Sequence, residues 1–237
     1  MKSNRYLRLL AAALALPCAL LGPAAASAQA GNPAAGEYIF ERGSGQLRIK
    51  ADGHFDITTI GANAHTCALD GTIARGKAKL DGTDCVVNFA ASADKVKVTT
   101  NGAEQCRDSC GARAGFEGTY TRPTPGCTDK AVAATRRNFK RQYDAKNYAA
   151  ARTTLAPVLS DCDETLDWIT KDWIRNDLAL TQYKLDDRAA CLKTLQPLAE
   201  DAALSDEGVK ENYPPADAEI FLPVVRATRT NLKLCRG

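Results

Sequence analysis

Thr154-Leu155-Ala156-Pro157 recurs forty residues on as Thr194-Leu195-Gln196-Pro197. At the same offset Tyr143 falls on Tyr183, Ala151 on Cys191 and Tyr148 on Arg188. A period of this length, built of helical segments, marks an array of helix pairs in which each unit buries its apolar face against the next. Such arrays offer extended binding surfaces, so the repeat turns the functional reading towards protein binding and away from catalysis.

Working outward from the repeat, the helical period holds from residue 127 to the C-terminus. Thr128 or Asp129 caps a helix to about Tyr143, and a turn at Asp144–Asn147 leads to a second helix from Tyr148 to about Leu159. Asp161 or Asp163 is expected to cap a third helix through Trp168, Trp173 and Tyr183. Asp186-Asp187 turns into a fourth, Ala189 to about Ala202. Asn212-Tyr213-Pro214-Pro215 breaks the pattern, and Asp217 caps a final helix ending near Cys235.

Upstream, Arg122-Pro123-Thr124-Pro125-Gly126 is a stiff connector, and before it the period changes to two. Asp52-Gly53, Asp70-Gly71, Asp81-Gly82 and Asn101-Gly102 read as hairpin turns. Between them Leu47 and Ile49, Phe55 and Ile57, Cys85, Val87 and Phe89, and Val96 and Val98 each share a face. About seven or eight short strands result, enough for a small sandwich or barrel. Gly36-Glu37-Tyr38 opens this half and Gly118-Thr119-Tyr120 closes it. Pairing of the first and last strands would remove the sheet edges and favours an up-and-down barrel.

Residues 1–30 read as a secretory leader: Lys2, Arg5 and Arg8 precede a short apolar run, and Ala26-Ser27-Ala28 and Ala28-Gln29-Ala30 are small-x-small cleavage sites. Cys18 follows Pro17, a poor context for lipidation. The three basic residues of that stretch account for the net +3, which leaves 28 basic against 28 acidic residues. That balance argues against a nucleic-acid partner, and no other apolar run is long enough for stable membrane insertion. Eight cysteines remain, Cys67, Cys85, Cys106, Cys110, Cys127, Cys162, Cys191 and Cys235. Behind a leader, an even count reads as four disulfides in an oxidising compartment, periplasmic or secreted. In the β half the four cysteines can pair in three ways, of which Cys67–Cys85 with Cys106–Cys110 is favoured.

The helical half resembles the tetratricopeptide repeat over roughly residues 130–200. Asp177 to Asp187 is similar to the first helix and turn of such a unit, and Asn147-Tyr148-Ala149-Ala150-Ala151 to the turn and start of the second helix in the preceding one. Ala151, Ala179 and Cys191 match the small residues the family places where helices touch. The period is forty, not about thirty-four, only two units are visible, and Pro157 and Pro197 are expected to kink the second helices. The resemblance implies a protein-binding groove and carries no specific ligand residues onto this chain. Antiparallel helix pairs bring the start of the first helix beside the end of the second, and the start of the fourth beside the end of the fifth. The expected bonds are Cys127–Cys162 and Cys191–Cys235.

Candidate sites are few. His65 and Cys67 share a strand face, but no second histidine or carboxylate joins them, so the reading is a histidine beside a disulfide. No Gly-x-Ser-x-Gly elbow, phosphate loop or paired metal-ligand motif occurs, so no enzyme activity, metal or cofactor is expected. Residues 130–152 are basic, with Arg136, Arg137 and Lys140 as candidate contacts for an acidic partner; residues 161–187 are acidic, and the two runs can also attract each other. Trp168 and Trp173 are five apart and so are not expected to share a helix face; one is expected in the core, and the other could be exposed as a candidate binding anchor. Arg107 and Asp108, in the loop Glu104–Gly111, could plug the cleft of a hydrolase.

The sequence therefore describes an α+β, two-domain protein: signal peptide 1–30, antiparallel β barrel or sandwich 31–122, Pro/Gly linker 123–126 and a TPR-like α-helical domain 127–237. The expected function is non-enzymatic binding of an envelope protein, as an adaptor or as an inhibitor or immunity protein. The partner would be a hydrolase such as a lysozyme, a toxin, or a structural or secretion component. The alternative is small-ligand carriage inside the barrel.

Overall fold

A computed structural model describes residues 31–237; the leader, its cleavage sites and Cys18 lie outside the described residues. Eight antiparallel strands form one sheet: β1 (Gly36–Phe40), β2 (Gly45–Ile49), β3 (His54–Ile60), β4 (Thr66–Thr72), β5 (Lys77–Lys79), β6 (Val86–Ser92), β7 (Lys95–Thr100) and β8 (Gly118–Thr121). Their order is β4-β3-β2-β1-β8-β7-β6-β5. The first and last strands pair as expected, Ile39 opposite Thr121 and Phe40 opposite Tyr120. The sheet is a nearly closed barrel whose two unjoined ends are β4 and β5.

Alternation decides the core. Leu47, Phe55, Ile57, Val87, Val96 and Val98 are at most 1% exposed, and Phe55 meets Phe89 edge to face with centroids 4.8 Å apart. Each such side chain contributes about 1.5–3 kcal/mol by leaving water. Gly-x-Tyr at both ends of the barrel chain serves one device: Tyr38 donates to the carbonyl of Ala34 and Tyr120 to that of Phe116, each at 2.8 Å. Burial pushes the Tyr120 phenol far above its ordinary range, so it remains a donor.

Gly53, Gly82 and Gly102 take positive φ in turns, as their Asx-Gly pairs predict. Asp70-Gly71 does not turn: it lies inside β4, with Gly71 opposite Phe55. A Cβ on Gly71 would stand 3.1 Å from the Phe55 ring, so this glycine makes room for a core aromatic. The turn comes later, at Arg75-Gly76 (φ 53° and 74°), and Ala93 (φ 49°) turns β6 into β7.

The β-half disulfides are Cys67–Cys110 and Cys85–Cys106, which corrects the expected Cys67–Cys85 and Cys106–Cys110. Cys67 on β4 and Cys85 before β6 stand on opposite sides of the open seam, and the segment after β7 lies between them. Each strand cysteine therefore bonds to the loop instead of to the other. Cys67 and Cys110 also form an antiparallel bridge. Closing a loop with 43 residues of separation stabilises by about 4 kcal/mol on the chain-entropy account.

The helical region contains α1 (Asp129–Asp144), α2 (Tyr148–Asp161), α3 (Trp168–Lys184), α4 (Arg188–Leu195), α5 (Ala199–Ala203), α6 (Asp206–Asn212) and α7 (Pro215–Arg236). Thr128 caps α1 by accepting from Ala131 N–H at 3.2 Å. Asp167, not Asp161 or Asp163, caps α3; those two fall at the end of α2 and in the loop that follows. The fourth helix stops at Leu195, where a 3-10 turn at Gln196–Leu198 contains Pro197. Pro157, by contrast, sits inside α2. α6, which Ser205 caps by accepting from Gly208 N–H, has no counterpart among the helices expected from the sequence. Cys127–Cys162 and Cys191–Cys235 pair as expected.

Asp217 does not cap α7. The first two positions of this helix end, Pro214 and Pro215, have no N–H, and the first donor, Ala216, gives its hydrogen to Asn63 Oδ1 at 3.1 Å. Asp217 Oδ2 in return accepts from Asn63 N–H at 3.1 Å. This is a capping box assembled between the β3–β4 turn and a helix more than 150 residues away. Glu164, before α3, adds two further links: its carbonyl accepts from Arg42 N–H at 3.2 Å and its carboxylate pairs with Lys95 at 3.0 Å.

Candidate functional site

The forty-residue repeat is geometrical as well as sequential. Lys146 and Asp186, at equivalent positions, both take left-handed φ (61° and 60°). The residues that follow, Asn147 and Asp187, cap α2 and α4 by accepting from the N–H three residues on, at 3.3 and 3.1 Å. Ala151 and Cys191 are fully buried, as are Leu155 and Leu195. Two helical hairpins of the same build thus follow one another, and the first helices of both, α1 and α3, flank a cleft of about 570 Å³.

On α1 the cleft takes Arg136, Lys140 and Tyr143 with Phe139, residues three, four and seven apart and therefore on one helix face. On α3 it takes Asp177 and Leu180. Arg136 and Asp177 face each other at 3.7 Å, and Lys140 pairs along its own helix with Asp144 at 2.8 Å. Arg137, also on the lining, has no ion pair among the described residues. Burial pushes the Asp177 carboxyl above its ordinary value while Arg136 pulls it down. Burial likewise raises the Tyr143 phenol. The result is an aromatic and aliphatic floor with a basic rim, suited to an apolar side chain flanked by carboxylates.

Of the candidates read from the sequence, Arg136, Arg137 and Lys140 come together here. The attraction between the basic and acidic runs is also present, in Arg136–Asp177 and in Arg152–Asp187 at 3.7 Å. Phe139, Tyr143, Asp177 and Leu180 were not singled out, although Tyr143 belongs to the repeat. Trp168 and Trp173 lie elsewhere: Trp168 is 40% exposed and stacks on Tyr213, while Trp173 packs against the cluster of Val209 and Phe221. Arg107 and Asp108 belong to the loop of the barrel, both exposed, between cysteines bonded to different strands. Cys106, Asp108 and Cys110 N–H close successive tight turns onto the carbonyls of Ala103, Gln105 and Arg107, so around Arg107 and Asp108 the loop exposes side chains and not extended backbone. His65 stands against Gly111, beside the Cys67–Cys110 bond. The side chains of Phe55, Ile57, Val87 and Phe89 fill the barrel centre as one packed cluster.

Comparison with family models, with curated proteins and with solved structures returns no match.

Proposed function

We propose that this chain is a non-enzymatic protein-binding protein of an oxidising, extracytoplasmic compartment, and that its TPR-like helical pairs dock a segment of an envelope protein in the α1–α3 cleft. The observation that carries this reading is the cleft itself, an apolar floor of Phe139, Tyr143 and Leu180 beneath the cations of α1. Four disulfides support an oxidising, periplasmic or secreted setting. Among the described residues no helix is long and apolar enough to cross a membrane. The packed barrel interior gives little support to carriage of a small ligand. An inhibitor or immunity role draws on a separate observation: the doubly anchored loop holds Arg107 and Asp108 in place before any encounter, which lowers the entropic cost of binding.

Capture from envelope extract on immobilised protein beginning at Gly31, disulfides intact, tests the reading. R137E/K140E in the cleft and R107A/D108A in the loop serve as comparisons. Recovery of a hydrolase or toxin that is lost with the loop variant would make the protein an inhibitor. Recovery of a structural or secretion component lost with the cleft variant would make it an adaptor. Retention by both variants would sink both assignments.

A further inference from the structure

The two ends of the sheet leave a seam. β4 and β5 depart from the Arg75-Gly76 turn, are bridged at Ala74 and Lys77, and form no ladder beyond it. The far end of the seam is occupied by the disulfide-anchored loop, whose main chain pairs with the β4 edge. Ala68 N–H donates to Ser109 O at 3.0 Å, and Gly111 N–H donates to Thr66 O at 2.8 Å. Thr66 and Ala68 thus direct their main-chain groups away from β3, and the period of two gives Asp70 and Thr72 the same direction. Ile73 N–H, one residue out of phase, bonds instead to Gly53 on the β3 side, as that period requires. Next to Asp70 and Thr72 the seam is open, a cleft of about 530 Å³ also lined by Lys79, Asp81 and Asp108.

Charge marks the same place. Asp70 stands directly opposite Asp56 in the β3–β4 register, an unfavourable like-charge pair. Arg48 compensates Asp56 at 3.7 Å, but Asp70, Asp81 and Asp108 have no ion pair among the described residues. An unpaired strand edge and uncompensated negative charge therefore coincide, each of which is a liability that a bound segment would relieve.

We propose that this seam binds a basic, extended segment of a partner protein by strand addition. The segment pairs its main chain with Asp70 and Thr72, as Ser109–Gly111 already does further along the same edge, and sets Lys or Arg side chains against Asp70, Asp81 and Asp108. This surface is independent of the α1–α3 cleft.

The test uses the whole disulfide-bonded protein and a fluorescent peptide of alternating Lys and Val, read by anisotropy. A second peptide of the same sequence carries N-methyl groups on alternate amides, which keeps the charge and removes strand pairing. The expected result is saturable binding that N-methylation weakens about tenfold or more, as loss of main-chain hydrogen bonds demands. D70N/D108N, at two exposed positions, should weaken it further and flatten its salt dependence. Hydrogen exchange should show new protection at Asp70 and Thr72. Equal affinity for the two peptides, no saturable binding, or protection confined to α1 and α3 would each overturn the proposal.

Discussion

Asp172 shows how one side chain can act against the fold that holds it. It lies on α3, largely buried, and desolvation pushes its carboxyl up to about 6. Arg175, 3.6 Å away, and Lys171 pull it back, while Asp201 and Asp167 add to the rise. The native state therefore holds this proton more tightly than the unfolded chain. Stability contributed by the site is present at acid pH and is lost as pH rises through about 6. Asp172→Asn keeps the shape and removes the titration. The substitution should raise the melting temperature at about pH 7.5 and change it little at about pH 2.5, where the carboxyl is protonated in both the folded and the unfolded chain. Equal effects at both values would show that desolvation of the charge is not the dominant cost. In the sequence Asp172 is one acid of the 161–187 run among several; its raised carboxyl depends on burial and on Asp201 of α5, which only the fold brings near.

At the scale of elements, the repeat was legible because its signals are local. A left-handed residue, an acid or amide cap and a buried small residue occupy fixed offsets in both hairpins. Asn147→Ala and Asp187→Ala should each cost about 1 kcal/mol in denaturant unfolding, the usual loss for a side-chain cap. The Asp187 change should cost slightly more, because that carboxylate also meets Arg152 at 3.7 Å. A cost confined to one of the two would show that the hairpins are not energetically equivalent. Strand faces were legible for the same reason: alternation places Leu47, Ile49, Phe55, Ile57, Val87, Phe89, Val96 and Val98 inward, as they are, but it assigns no face to the buried Leu69, Ile73, Ala78 and Leu80. The Asp70-Gly71 turn failed because an Asx-Gly pair states only that a turn is allowed. Pairing of β4 with all of β3 across seven residues overrode it.

At the scale of the molecule, the barrel and the helices are coupled through Asn63. It supplies the cap that α7 lacks, and α7 carries Cys235 and packs on α3 and α4. Asn63→Ala should release Ala216 N–H and cost about 0.5–2 kcal/mol, seen as faster hydrogen exchange in the first turn of α7 with the barrel amides unchanged. Unchanged exchange there would mean that the two halves merely touch. By itself, the sequence determined the layout of a strand half followed by a helical half, the pairing of the first and last strands, the inward faces of the alternating runs, the repeat and the two helical disulfides, because most of these depend on residues close in the chain or on the regular geometry of a helical hairpin. Only the tertiary structure decided which cysteines cross the seam, which residue caps the last helix and which side chains line the cleft. Those depend on distances between segments that the chain brings together only once the barrel curls and the helices stack, and no local spacing encodes such a distance.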